Sequence, residues 1–330
     1  MKTEKAPRKD LCETIKSPTD WVPANIGDLS LVPTGDMPGD KVVINLEHVA
    51  KANLIFPQLL KLLPCAINSS FGRAVIVVCG GSGVGKSEIA SLLSYYLNLE
   101  GIGAYTLSGD NYPYRIPMYN DAERLRIFRQ HGLKGLISHG SYDMERGKIL
   151  MQLQQNGTDA DPVYTADYPW LSLYQQSGDS GLRGYLGSKN EIDFDEITAI
   201  ISQFKNGENT IYLKRMGRAD AAVWYEPVDF CERKVLVIEW THGNSFHILG
   251  ADIPICLYST PQETLAHRKA RNRDKDTDSP FTNRVLNIEA ELLDYQIQKA
   301  KIIVGKDGAL LTTVDLLEKK LEQKKREAAL

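Results

Sequence analysis

The chain has 330 residues, of which 42% are hydrophobic and 25% are charged, and its formal net charge at pH 7 is −3. This composition excludes a collagen-like chain, a largely disordered chain and a disulfide-rich scaffold, and the slight acidic excess argues against nucleic acid as the main partner. The five cysteines form no CxxC pair, no apolar run has the length of a membrane span, and the start of the chain lacks the apolar core of a secretory signal. We therefore expect a cytoplasmic protein with reduced thiols and no membrane partner.

Residues 1–70 are predicted to form an extension that packs on the main domain and has a structural rather than a catalytic role. The first 45 residues are rich in Pro, Gly, Asp and Lys, which indicates irregular chain. Apolar residues at helical spacing follow, namely Leu46, Val49, Ala50 and Leu54. Pro57 is expected to start a second helical turn and Pro64 to end it.

The main domain, residues 71–330, is predicted to be an α/β fold of the P-loop NTPase type, with a doubly wound, mainly parallel sheet flanked by helices. The apolar run RAVIVVCG is typical of a strand that is buried on both faces. A helix from about Lys86 to Leu99 follows, and then a second strand, GAYTLSGD, which is expected to end at Asp110. Further strands are predicted in NTIYLKRM, KVLVIEW, DIPICLYS and AKIIVGK.

Further helices are predicted in AERLRIFRQHGLKGLISHG, in FDEITAIISQFKNG, after Pro261, in NRVLNIEAELLDYQIQKA and at the charged C-terminal end. Residues 159–188 are polar and show no clear period. We expect residues 112–230 to supply an acceptor-binding insert. Residues 262–284 are expected to form a lid that closes over the nucleotide and excludes water.

The segment GGSGVGKS matches the GxxxxGK[ST] pattern of a P-loop, or Walker A motif, between a predicted strand and a predicted helix. Its glycines let backbone amides turn toward phosphate oxygens, and the helix adds its positive N-terminal end. Lys86 is expected to reach the β- and γ-phosphates, and Ser87 to bind Mg²⁺. We predict nucleotide contacts from Gly80, Gly81, Ser82, Gly83, Val84, Gly85, Lys86, Ser87 and Glu88.

Two acidic residues follow predicted strands, at the edge of the sheet where ligands bind in such folds. Asp110 is placed to accept the proton of an alcohol that attacks the γ-phosphate, and it is a second candidate for the metal. Glu239 ends a buried strand and is expected to hold Mg²⁺. The competing interpretations are a loop-capping aspartate and a structural salt bridge.

Three arginines lie on or just after the helix that begins at Pro261. Arg268 and Arg271 share a helical face and are predicted to stabilise charge on the transferred phosphoryl group. Arg273 is predicted to contact the nucleotide. A solvated basic helix is an equally good interpretation for any one of them.

Taken in order, these passages resemble the phosphoribulokinase/uridine kinase family of P-loop kinases. The resemblance rests on GGSGVGKS, LSGDNYPY, NEIDFDEITAIISQFKNG and VLVIEWTHG, with HRKARNRD as the arginine-bearing lid segment. It implies a parallel sheet, ATP with Mg²⁺, and phosphorylation of a hydroxyl group on a sugar, sugar phosphate, polyol or nucleoside. The family pattern implies Asp110 as catalytic base, an aromatic position at Tyr112, and site residues Glu239 and His242. The chain departs from the pattern at Trp240, where the family usually has glycine.

The acceptor pocket is predicted to involve Tyr112, Tyr114, Arg115, Arg215, Arg218 and His242. Arginines suit an acceptor that carries a phosphate or a carboxylate, whereas a neutral sugar suits polar and aromatic side chains, and the sequence allows both. The alternative function is a P-loop ATPase or regulatory switch acting on a protein partner, although no water-orienting glutamine is recognisable. The oligomeric state is left open, a homodimer being one option.

Overall fold

The computed structural model describes residues 15–69, 72–218, 220–271 and 278–327, and its strands form two sheets. The strands are β1 (Ala74–Gly80), β2 (Ala104–Ser108), β3 (Thr210–Met216), β4 (Val223–Asp229), β5 (Val235–Glu239), β6 (Ile253–Leu257) and β7 (Ile302–Val304). Five of them form a parallel sheet in the order β2-β5-β1-β6-β7, and β3 and β4 form an antiparallel hairpin.

Helices cover both faces of the parallel sheet. The α-helices are α1 (Leu46–Ser69), α2 (Lys86–Leu99), α3 (Pro117–Ser138), α4 (Met144–Gln155), α5 (Leu171–Tyr185), α6 (Phe194–Lys205), α7 (Pro261–Arg271), α8 (Pro280–Gln296) and α9 (Thr313–Glu327). Short 3₁₀ turns lie at Leu29–Leu31, Gly109–Asn111, Pro162–Thr165 and Ile297–Lys299. Side chains of β1 alternate between a core shared with α1 and α2 and a core shared with α6. The predicted doubly wound α/β fold is therefore confirmed.

The N-terminal extension contributes α1 to the core, but not as the sequence suggested. The predicted break is wrong, because α1 is one helix with Pro57 and Pro64 inside it. The predicted apolar face is wrong in part: Val49 packs against the core, but Leu46 is 78% exposed, whereas Phe56 and Leu59 are fully buried. Each proline removes one backbone hydrogen bond, and the burial of this face against the sheet offsets that cost.

Helix α5 lies in the stretch for which no period was recognised. Two glycines on α5 and two on α3 allow these helices to approach closely. A Cβ at Gly132 would lie 2.5 Å from the ring of Tyr174, and a Cβ at Gly178 would lie 2.4 Å from the ring of Phe128. Glycine disfavours an isolated helix. The glycines that let α3 and α5 pack closely therefore also make α5 hard to recognise in the sequence.

The segment that follows β2 differs slightly from the prediction. The strand ends at Ser108 rather than at Asp110, and residues Gly109–Asn111 form a 3₁₀ turn. The turn lifts Asp110 into solvent while its neighbours stay buried. Within the described part of the chain, no helix combines the length and the apolarity that crossing a membrane requires.

Candidate active site

The GGSGVGKS segment lies between β1 and α2, as the motif requires. Gly80 is the last residue of β1, and Lys86 is the first residue of α2. Gly83 has φ +78° and Gly85 has φ +97°, a left-handed conformation that L side chains disfavour. These glycines turn the loop at the carboxyl edge of the sheet, directly before the positive end of α2.

Two side chains of the loop indicate which chemistry it supports. The Lys86 ammonium donates a hydrogen bond to the Gly81 carbonyl, with 3.1 Å between Nζ and O. The Ser87 hydroxyl donates to a carboxylate oxygen of Glu239 at 3.1 Å. A cation and a hydroxyl thus lie at the mouth of the loop, where a phosphate and its metal ion are bound in P-loop proteins.

Glu239 is the last residue of β5, between β1 and β2, and its side chain is buried. Its second carboxylate oxygen accepts a hydrogen bond from the Ser108 hydroxyl at 2.5 Å. Burial, followed by the charge of Asp110, raises the pKa of Glu239 to about 8, against the opposing effect of Lys86. A buried carboxylate beside a serine hydroxyl fits Mg²⁺, which prefers oxygen ligands and needs few from the protein when phosphates supply others.

Asp110 and His242 follow two neighbouring strands, β2 and β5, the second of which ends in this carboxylate. Asp110 is exposed on the turn after β2, and its charge acts on the pKa of both Glu239 and His242. His242 is buried, and burial lowers its pKa, so the imidazole is neutral at pH 7. The structure therefore brings Lys86, Ser87, Asp110, Glu239 and His242 together at one edge of the sheet.

Trp240, the departure from the family pattern, is accommodated by Gly109. The Trp240 side chain is buried, and a Cβ at Gly109 would lie 2.1 Å from its ring. The indole therefore packs directly against the backbone of the turn that carries Asp110. A bulky residue after Glu239 is compatible with the site because a glycine follows the neighbouring strand β2.

The three arginines predicted for the acceptor pocket are paired with acids. Arg115 lies 3.5 Å from Glu123, Arg215 lies 3.0 Å from Asp36, and Arg218 lies 2.8 Å from Asp40. Arg215 also contacts Glu226 at 3.1 Å and the Tyr105 hydroxyl at 3.0 Å. Of the two predicted tyrosines, Tyr112 is fully buried, and burial raises its pKa, whereas Tyr114 is 54% exposed.

Arg268 is the lid arginine that the structure describes in full. Its side chain is buried, its guanidinium donates to the Pro261 carbonyl at 3.1 Å, and its Cγ would lie 2.8 Å from a Cβ at Gly83. Helix α7 therefore rests on the P-loop. The side chain of Arg271, and the whole of Arg273, lie outside the described residues.

Sequence reasoning missed the part of the site that the extension supplies. Asp36 and Asp40 pair with two of the predicted arginines, and His48 Nε2 lies 3.2 Å from the position of a Cβ at Gly85. No motif marks these residues. The one available signal is the repeated Gly-Asp pair in TGDMPGD, which resembles ordinary turn chemistry.

The raised pKa of Glu239 predicts that the nucleotide-free protein becomes less stable as the pH rises. An unfolded glutamate titrates near pH ~4.3, so the folded state favours the protonated form, and stability should fall as pH rises toward about 8. In metal-free buffer we expect Glu239→Gln to flatten the decline of the melting temperature between about pH 5 and pH 9. Glu208→Gln, at an exposed position, is the matched control and should leave the profile unchanged. If the melting temperature declined with pH equally in wild type and in Glu239→Gln, Glu239 would not be the source of this loss of stability.

The chain is similar to known proteins over much of its length. No family profile matches the chain. The bifunctional alpha-galactosidase/sucrose kinase AgaSK of Mediterraneibacter gnavus is 39% identical over 238 residues, which cover 72% of this chain and 20% of that protein. The chain thus matches about a fifth of the length of this relative, and the match confirms the resemblance to P-loop small-molecule kinases.

Two solved structures are also similar at 14% identity. A candidate fructose transport system kinase of Silicibacter sp. TM1040 has a TM-score of 0.38, with 65% of this chain and 84% of that chain covered. A candidate uridine kinase of Bacillus stearothermophilus has a TM-score of 0.45, with 78% of this chain and 99% of that chain covered.

Proposed function

We propose that the protein transfers the γ-phosphoryl group of ATP to a hydroxyl group of a neutral carbohydrate. The observation that carries the proposal is the convergence of the P-loop, the buried Glu239 and the exposed Asp110 at the carboxyl ends of β1, β5 and β2. Each of these side chains has a distinct task in phosphoryl transfer. A cytoplasmic location, where ATP is abundant, belongs to the same proposal.

The donor end of the site is built by the P-loop and α2. Amides of residues 80–88 would surround the phosphate oxygens, and the Lys86 ammonium would leave the Gly81 carbonyl to contact them. Ser87 and Glu239 would hold Mg²⁺, which neutralises charge on the phosphates when it is bound. Arg268 lies against Gly83, and we propose that it and Arg271 stabilise the transferred group while Arg273 contacts the nucleotide.

Asp110 would act at the acceptor end. As the acceptor oxygen forms its bond to the γ-phosphorus, the bond from that phosphorus to the bridging oxygen of ADP breaks. The acceptor proton passes to the Asp110 carboxylate, which must be ionised to accept it. The nearby His242 is neutral and buried, so it can exchange hydrogen bonds with a hydroxyl group without adding positive charge.

Charge balance favours a neutral acceptor over a phosphorylated one. A phosphate-bearing acceptor needs cations that are able to form bidentate contacts. Arg115, Arg215 and Arg218 are instead each within 3.5 Å of a carboxylate. The AgaSK relative is named a sucrose kinase, so sucrose is the first acceptor to test. We place the acceptor pocket between these arginine–carboxylate pairs and Asp110, where the predicted insert of residues 112–230 meets the extension and the turn after β2.

The test is a panel of sucrose, monosaccharides, polyols, nucleosides and sugar phosphates, each supplied with Mg²⁺ and ATP, with ADP release as readout. We expect a neutral sugar to raise ADP release at least ~10-fold above the acceptor-free rate, and mass spectrometry to show a phosphorylated sugar. Stimulation confined to sugar phosphates would overturn the acceptor class. Nucleotide hydrolysis that no acceptor changes would favour the ATPase or switch alternative.

A further inference from the structure

A buried aspartate of the N-terminal extension lies behind the turn that carries Asp110. The Asp36 side chain is 9% exposed. One of its carboxylate oxygens accepts from the Ser108 amide at 2.7 Å and from the Asn111 side-chain amide at 3.4 Å. The other accepts from the Tyr105 hydroxyl at 2.9 Å and lies 3.0 Å from the Arg215 guanidinium.

The hydrogen bonds from Ser108 and Asn111 to Asp36 fix the position of both ends of the turn. Ser108 is two residues before Asp110, and Asn111 is the residue after it, so one carboxylate oxygen of Asp36 holds the chain on either side of the proposed base. The Asn111 side-chain carbonyl in turn accepts from the Met216 amide at 3.2 Å, which joins the turn to β3. Movement of Asp110 would therefore break contacts to two other segments of the chain.

The same aspartate reaches the proposed metal side through Ser108. Asp36 binds the Ser108 backbone amide, and the Ser108 hydroxyl donates to Glu239 at 2.5 Å. The extension also approaches this carboxylate directly, because a Cβ at Gly35 would lie 4.0 Å from Glu239 Oε1. A single segment that lies outside the P-loop core thus supports both carboxylates of the proposed mechanism.

We propose that Asp36 is a positioning residue, which sets the distance between Asp110 and Glu239 by holding the turn that carries Asp110 and the adjacent Ser108 that contacts Glu239. The proposal rests on the proposed kinase function. Asp36 does not touch the reacting atoms, so its effect should fall on the transfer step rather than on nucleotide binding. An arrangement held to a fraction of an ångström is what proximity catalysis requires.

The test is Asp36→Asn. The amide oxygen can still accept from Ser108, but the amide nitrogen would face the Arg215 guanidinium, donor against donor. We expect kcat to fall about 10- to 100-fold, the usual range for residues that orient a functional group, with the nucleotide Kd changed less than about threefold. Asp28→Asn is the matched control, since Asp28 belongs to the same extension but is exposed, and its side chain binds only Ser30 among the contacts described.

Hydrogen–deuterium exchange gives a readout that is independent of the acceptor. In Asp36→Asn, amides of residues 104–112 should exchange at least ~10-fold faster than in wild type, and in Asp28→Asn they should not. Unchanged exchange together with wild-type kcat would overturn the proposal, as would an equal loss of kcat and nucleotide affinity. If Asp36→Asn does not fold, Tyr105→Phe removes one donor to Asp36 and should lower kcat about threefold or more, and an unchanged kcat would count against positioning. A wild-type protein that transfers no phosphate would instead refute the kinase proposal, and the exchange result would still stand.

Discussion

Asp110→Asn should lower kcat for phosphoryl transfer by about 10³-fold while the nucleotide Kd stays within about threefold of the wild-type value. The substitution keeps the shape of the side chain and removes the group that accepts the acceptor proton. Because that interaction develops only in the transition state, its loss appears in kcat and not in ground-state binding. Steady-state transfer assays and calorimetric titration with nucleotide separate the two effects.

Stability should hardly change in this variant. Asp110 is exposed on its turn, and its negative charge raises the pKa of the buried Glu239. Removal of that charge should lower the pKa of Glu239, so any change in the nucleotide-free protein above neutral pH should be a small gain. Asp167→Asn, at an exposed position remote in sequence from the motifs, is the matched control. Near-normal turnover in Asp110→Asn would remove Asp110 from the mechanism.

The core of the site could be predicted from the sequence because parallel strands bring their carboxyl ends to one edge. RAVIVVCG and KVLVIEW show continuous apolar runs, and each ends where the ligand site of such a sheet lies. The positions of Ser87 and Glu239 relative to each other follow from the pairing of β1 with β5. Local sequence pattern and the topology of the fold are therefore enough to predict that Ser87 and Glu239 lie close together.

The contribution of the extension could not be predicted, because it depends on contacts between residues far apart in the chain. Asp36 meets Ser108 after 72 positions and Arg215 after 179, and nothing near Asp36 signals either partner. The acids also change the interpretation of the arginines. The sequence predicted Arg215 and Arg218 as acceptor-pocket residues that could bind a charged acceptor, whereas in the structure each faces an acid of the extension. Only tertiary structure distinguishes a phosphate-binding arginine from a neutralised one.

The errors in helix prediction have a common physical origin. Pro57 and Pro64 in α1, and Gly178 in α5, are poor helix formers taken singly. Both helices form because tertiary packing outweighs local propensity: α1 buries an apolar face, and α5 approaches α3 closely. Helix propensity is a weak predictor wherever a helix is stabilised mainly by packing against the rest of the protein.

Lys86→Met should lower kcat/KM for transfer by about 10²- to 10³-fold, as expected when one preorganised charge is removed from a developing anion. The methionine keeps the length of the side chain, so the start of α2 and the packing of the loop should be preserved. Lys61→Met, at an exposed position on α1, is the matched control and should leave transfer unchanged. Near-normal transfer in Lys86→Met would contradict the assignment of the loop as the phosphate site.

The lysine has a second effect that the same variant can test. Its positive charge lowers the pKa of Glu239, against burial and the charge of Asp110. Without it, the Glu239 carboxyl should hold its proton to higher pH, and a protonated carboxyl is a poor ligand for Mg²⁺. We therefore expect the transfer rate of Lys86→Met to recover partly as pH is raised from about 7 to about 9, more steeply than that of wild type. A loss of the same size at every pH would show that Lys86 acts on the phosphates alone, and a steeper recovery would show that one ammonium serves both the phosphates and the carboxylate that faces them.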